Sequence, residues 1–208
     1  YGGSLENRMR LPLEVLSAVR AAVGDDFPLL GKISMSDGVE GGVDYDEAIE
    51  IAAILDAGGI DAIVCSGGTS SMNPMLMFRG NSLADGLMEN ESNALLRFGL
   101  KLVGPRLFKE YPYHDLYFFE QAKRIRERVT CKVVYIGGAS SRENLDQLMH
   151  AGFDFVQLGR GLIFDPAFAI NAEKNAHYKN GCNHCNRCAT LIEHPDGVRC
   201  VLKDPVIK

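Results

Sequence analysis

Four times in succession the sequence sets a short apolar stretch of strand character beside a segment of helical period. That alternation limits the fold more than any other feature. A lone amphipathic helix comes first, Leu5 to Val23, with Leu5, Met9, Leu13, Leu16, Val19 and Val23 stepping by three or four and Gly24 at the stop position. Leu29 to Ser34 then reads as a buried strand. The next helix starts at Asp44 with Glu47 at capping-box spacing and ends at Gly58-Gly59. Ile60 to Cys65 is the second strand, followed by Ser66-Gly67-Gly68. An excursion from Thr69 to His114, rich in Met, Asn and Gly, is expected to hold one helix over Glu91 to Val103. Excursions of that length inside compact domains are usually lids or binding loops. The third unit has a helix over Asp115 to Val129 and a strand over Lys132 to Ile136. Ser140 and Glu143 have the spacing to box the next helix, which stops at Gly152 before the last strand, Phe153 to Leu158.

Alternating strands and helices build a parallel α/β sheet with right-handed crossovers, either open and doubly wound or closed as a barrel. A full (β/α)8 barrel takes about 250 residues, whereas this chain has 208. Four units behind an orphan helix match the second half, strands five to eight, of a TIM (β/α)8 barrel. From residue 181 the composition turns cysteine-rich, so residues 1–180 are expected to be the half-barrel and 181–208 a metal-binding extension. Opening on Tyr1 rather than Met fits an expectation that the chain is part of something longer.

Charge removes several partner classes. Lys and Arg number 22 against 27 Asp and Glu, a formal charge of −5 without a basic stripe, which argues against nucleic acid. No apolar run is long enough for a membrane span. No basic-then-apolar leader opens the sequence, so a reducing cytoplasm is the expected compartment.

In a barrel the residues just after each strand face the active site. Gly137-Gly138 follows the third strand and Gly159-Arg160-Gly161 the fourth. Glycines there let backbone N–H groups approach an anion, and Arg160 adds a charge-assisted donor. Each loop alone is a tight turn as readily as a phosphate site; the pair with its arginine favours phosphate. Lys32 interrupts an apolar strand, so it either snorkels outward between helices or projects into the barrel mouth.

Cys182, Cys185 and Cys188 form C-x2-C-x2-C, with Cys200 eleven residues further on. Thiols so spaced suit an iron–sulfur cluster, structural zinc held by four thiolates or with His184 replacing one, or simply reduced cysteines, and the spacing favours the cluster. Cys65 and Cys131 lie in or beside strands as small core residues. No P-loop, nucleophile elbow or G-x-G-x-x-G after a strand is present.

Taken together, Tyr1-Gly2-Gly3-Ser4-Leu5-Glu6-Asn7-Arg8, Gly137-Gly138, Leu158-Gly159-Arg160-Gly161-Leu162 with Asp165-Pro166, and the Cys182–Cys188 run resemble the old yellow enzyme family of NADH:flavin oxidoreductases. The cysteines are closest to those of its 2,4-dienoyl-CoA reductase and trimethylamine dehydrogenase branch. The resemblance implies an FMN-binding barrel in which NAD(P)H delivers hydride to FMN, and FMN passes it to an α,β-unsaturated carbonyl or a related small acceptor. By position it assigns Lys32 to the flavin's pyrimidine edge and Gly137, Gly138, Gly159 and Arg160 to the FMN phosphate. Ser66 and Gly67 fall near the flavin. The resemblance likewise implies that Cys182, Cys185, Cys188 and Cys200 hold a 4Fe-4S cluster, with zinc as the alternative. The residues that anchor the acceptor and donate a proton in that family belong upstream of Tyr1, so the catalytic residues are unknown here. The partner expected is the missing N-terminal half of the barrel, with self-association where that half is absent. A flavin-free phosphate-binding lyase or isomerase and a zinc-stabilised interaction module are the rival functions.

Overall fold

The computed structural model describes residues 1–192, 194–195 and 197–204. Residues 193, 196 and 205–208, all within the cysteine-rich extension, lie outside that description. Four strands, β1 (Leu30–Ser34), β2 (Ala62–Ser66), β3 (Lys132–Ile136) and β4 (Phe155–Gln157), form one parallel sheet in the order β1-β2-β3-β4. Each strand therefore pairs with its predecessor in sequence, as the expected half-barrel requires. The chain divides into two compact units.

The first unit comprises Tyr1–Gly67, Phe118–Ile136 and Gln147–Gln157, and holds the whole sheet. Helix α1 (Leu5–Val23) starts where Ser4 Oγ accepts from the Asn7 N–H and ends at Gly24, φ 83°. The glycine-rich opening of the chain is used for this start: Asn7 Nδ2 donates to the Gly2 carbonyl and Arg8 Nε to that of Gly3. Arg8 also grips Glu47 of α2 (Tyr45–Ala57) with two bonds, 2.7 and 2.9 Å, in the fork geometry guanidinium favours. Asp44 caps α2 as its spacing predicts, accepting from the Asp46 and Glu47 N–H groups. Helix α5 (Phe119–Arg128) packs beside α2, carrying Ala122 and Ile125 inward.

The sheet's two faces differ. Ile63, Cys65, Val133 and Tyr135 are fully buried with Phe118, Ala48, Ala52 and Leu148 on the helix side. By the two-residue alternation of strands, the opposite face carries Leu30, Lys32 and Ser34, then Ala62, Val64 and Ser66, then Lys132, Val134 and Ile136, then Phe155 and Gln157. Only Ala62, Val64 and Val134 at its centre are buried together. Leu30 and Phe155 at its margins are 59% and 58% exposed.

The second unit comprises Gly68–Tyr117, Gly137–Asp146 and the chain from Leu158 onward. Its excursion corrects the sequence expectation. The expected helix over Glu91 to Val103 is present as α4 (Ala94–Leu107), but a further one, α3 (Leu83–Asn90), precedes it, the two separated where the Asn93 side chain caps the Leu95 and Leu96 N–H groups. Apolar periodicity alone did not reveal that Asn93 competes with the helix and restarts it. Helix α6 (Arg142–His150) brings a second correction. Its Asn144 N–H is capped by Ser141, while the Ser140 hydroxyl turns to Asp115, 3.0 Å, and Glu143 closes no box. Helices α7 (Arg160–Phe164) and α8 (Phe168–Lys174) follow β4, and a 3-10 turn covers Arg187–Leu191. No helix among the described residues is long and apolar enough to cross a membrane.

Candidate functional site

In the first unit, strand register settles which way Lys32 lies. It shares the helix-free face with its rung partner Val64 and, one strand on, Val134. That is the mouth-side alternative, and Lys32 is exposed there. Two residues along the same strand, Ser34 Oγ is buried without a hydrogen-bond partner among the described residues. A buried hydroxyl left unpaired is costly and commonly marks a ligand position. Ser66 pairs in register with Ser34, and its carbonyl accepts from the Met35 N–H at 2.7 Å. Gly67 has a packing reason to be glycine: a Cβ there would lie 2.7 Å from Phe118 Cζ. Cys65 and Cys131 stay free thiols, and burial pushes that of Cys65 up to about 12, an inert core residue as expected.

In the second unit, Gly137 and Gly138 take φ 134° and 80°, backbone that L side chains rarely adopt. A Cβ at Gly138 would also meet Tyr117 Cδ1 at 2.8 Å. Tyr113 closes this loop from one side, its hydroxyl 3.1 Å from the Gly138 carbonyl and 3.0 Å from Asp115. Gly159 precedes α7, and a Cβ there would meet nothing within 4 Å. Two of the three glycines thus owe their identity to local backbone geometry, whereas Gly159 borders open space.

The same unit brings the four cysteines of the tail together. Cys182, Cys185, Cys188 and Cys200 line one small cavity of about 10 Å³ with Arg160, and all four are free thiols. Burial pushes the Cys182 and Cys188 thiols up, while the nearby Arg160 charge pulls them back. Among the described residues no group of three or more His, Cys, Asp or Glu stands at metal-holding distances. The donor set is nevertheless one that zinc and iron–sulfur centres share, four cysteines free of disulfides.

What seats this loop comes from far away in sequence. His184, φ 58°, stacks on Tyr113 with ring centroids 3.3 Å apart and 15° between planes. Burial, then the Arg160 charge, holds the His184 imidazole down at about 4, so it is neutral at pH 7. Asn186, φ 60° and 1% exposed, donates to the Phe78 and Asn81 carbonyls, both at 2.7 Å. Gly80 allows the approach: a Cβ there would lie 2.2 Å from the His184 carbonyl oxygen. Arg160 Nη1 donates to Asn186 Oδ1 and, at 2.8 Å, to the Arg79 carbonyl. Tyr113, Asn186 and Gly80 escaped the sequence reading, and His184, there an alternative zinc ligand, stacks on Tyr113. Only the glycine in a Met- and Asn-rich excursion gave a hint of close backbone approach.

Comparison with known proteins now bears on both sets of residues. Residues 1–72 match the NADH:flavin oxidoreductase / NADH oxidase family. The 4,4'-dithiodibutanoate disulfide reductase of Rhodococcus erythropolis is 33% identical over 208 residues, which are 100% of this chain and 51% of that protein. The NADH oxidase of Thermoanaerobacter brockii is 29% identical over 188 residues, 89% of this chain and 24% of that protein. Among solved structures, a 2-naphthoyl-CoA reductase complex superposes with TM-score 0.70 over 98% of this chain and 27% of that one, at 21% identity, a likeness of fold. The chain spans about half the length of the first of these relatives and about a quarter of the other two.

Proposed function

We propose that the chain is the C-terminal half of an FMN-dependent barrel enzyme of the old yellow enzyme-like NADH:flavin oxidoreductases, a reading supported by the family match over residues 1–72 and by the likeness to the Rhodococcus erythropolis reductase. The enzyme would carry hydride from NAD(P)H to an α,β-unsaturated carbonyl or a related small acceptor. Bound FMN supplies the hydride chemistry itself. The chain's own residues bind and tune it. The observation that carries this reading is the place of Lys32, a cation on the face of β1 shared with Val64 and Val134, beside a buried Ser34 hydroxyl that has no hydrogen-bond partner among the described residues. A cation there stabilises negative charge arising on a reduced isoalloxazine and so favours hydride uptake. Gly137, Gly138 and Gly159 carry no side chain of their own, which suits the close backbone approach of a phosphate.

The four thiols fit a metal centre by donor chemistry, and we take a 4Fe-4S cluster ahead of zinc from the C-x2-C-x2-C spacing. Such a cluster supplies one-electron transfer. The upstream half of the barrel is the proposed partner. Beside β1 lies an apolar groove of about 830 Å³ lined by Leu11, Val15, Val19, Phe27 and Leu30, and a parallel strand added there would cover it.

The visible absorption spectrum and metal content of the purified full-length protein test the reading together. Flavin bands with broad iron–sulfur absorbance are expected. A colourless protein containing zinc would overturn both the flavin and the cluster.

A further inference from the structure

Asn180 stands two residues before Cys182, and three separate stretches of the second unit meet on it. Its backbone N–H donates at 2.8 Å to the carbonyl of Ser140, two residues beyond Gly138. The antiparallel pairing of Ser141 with Lys179 and the 3.0 Å bond from the Arg142 N–H to the Tyr178 carbonyl extend that contact into a short seam. The side chain reaches the other two stretches. Nδ2 donates at 3.1 Å to the carbonyl of Gly161, in the Gly159-Arg160-Gly161 turn, and at 3.2 Å to the Tyr178 hydroxyl. Oδ1 accepts from the Cys182 N–H at 3.0 Å. The residue is buried, and both polar atoms of its side chain are engaged. We propose that Asn180 is a positioning residue coupling the cysteine centre to the two glycine loops. Metal held by the thiols then tightens the grip on a flavin phosphate, and the phosphate tightens the grip on the metal. The inference rests on the flavin and metal readings above, but not on which metal is bound.

The physical reason is shared order. Binding at either end fixes the backbone of its own loop. Because one buried residue holds all three stretches, a loop already fixed leaves less freedom to be lost when the second group binds. Linkage makes the effect reciprocal. Only an amide does this at one position, since it offers donors and an acceptor together. Aspartate would turn a second acceptor toward the Gly161 carbonyl, and alanine would drop the bonds to Gly161 and Cys182 while keeping the backbone bond to Ser140.

The test measures FMN and riboflavin affinity by flavin fluorescence in the full-length protein, metal-loaded and metal-stripped, once circular dichroism has verified folding. Stripping the parent should weaken FMN binding roughly tenfold, a coupling of ordinary size, and leave riboflavin, which lacks the phosphate, unmoved. Asn180→Ala should bring the two FMN affinities together. A role confined to stability would weaken both flavins in both forms and leave the gap open, overturning the proposal. So would a parent whose FMN affinity ignores the metal. Tyr113 also spans the glycine and cysteine loops, through Gly138 and His184. A gap closed by Tyr113→Phe and not by Asn180→Ala would therefore overturn the assignment too. If Asn180→Ala does not fold, Asn180→Asp is judged on the same gap. If the stripped protein does not fold, transfer of metal to a chelator replaces it. FMN should slow that transfer in the parent and not in Asn180→Ala, and equal slowing in both would overturn the proposal. A full-length protein that binds no FMN or no metal would overturn the flavin or the metal reading itself, and the coupling with it.

Discussion

Single side chains carry separable duties in this chain. Lys32 pairs with Val64 in the ladder through its backbone, while its side chain is exposed on the face that Val64 and Val134 share, so its charge is available to a ligand. Replacing it with Met in the full-length enzyme should slow flavin reduction by NAD(P)H by roughly tenfold or more, as loss of one preorganised electrostatic contact typically does. Stopped-flow bleaching of the flavin measures this, and an unchanged rate would remove Lys32 from the site. Asp56 has the opposite character, a purely structural carboxylate. It accepts from the Thr130 N–H at 2.8 Å, the Cys131 N–H at 2.9 Å and the Thr130 hydroxyl, joining the end of α2 to the start of β3. Burial opposes its charge, but these donors outweigh burial and hold the carboxyl below its usual range. Its stabilisation is therefore complete above the unfolded value of about 3.9 and disappears as pH falls through the lower folded one. Asp56→Ala should cost about 1–2 kcal/mol at neutral pH. Denaturation curves should show that deficit narrowing as the medium is acidified below that value.

At the level of elements, what could be read in advance follows from how local the signal is. Helix α1 was legible to its ends, because Ser4 and Gly24 cap it within its own sequence. The four strands were legible within two residues at either end, since apolar runs between glycine turns need no distant partner. The face of Lys32 was not, because a lysine suits either side until strand register is known. Nor was the break between α3 and α4, which one asparagine side chain decides. The four cysteines could be singled out from spacing, yet the seat of their loop could not. That seat is built from the segment around Phe78, Gly80 and Asn81, which no periodicity ties to the tail. The contact is tight enough to test. Gly80→Ala places a methyl against the His184 carbonyl at a backbone angle of φ 127°, and should cost about 1–3 kcal/mol locally. Metal content of the purified full-length variant should drop while its far-ultraviolet circular dichroism is kept. Full metal occupancy would show that the loop seats without Gly80.

For the whole molecule, the helix-free face sets the expected behaviour. Leu30 and Phe155 stand largely exposed at its two margins, and the groove beside β1 adds Val15 and Phe27, 53% and 57% exposed. Apolar surface of that kind is covered in stable monomers. The 208-residue chain produced alone should bind a hydrophobic dye, associate in light scattering and oxidise no NAD(P)H. Co-production with the upstream polypeptide should reverse all three. A monodisperse, dye-silent chain would contradict the half-barrel reading. The two bonds from Asn186 carry a further consequence, for the order of events during folding. They close sequence separations of 108 and 105 residues, among the longest-range contacts in the second unit. Long closures are formed late, because their entropy must be met before any contact rewards it. The loop that gathers the thiols is thus seated only after the excursion has folded. Until then Cys182, Cys185 and Cys188 are open to oxidants and to exchange with other thiols. Metal loading in this protein should therefore report on completed folding, and oxidative damage on its delay.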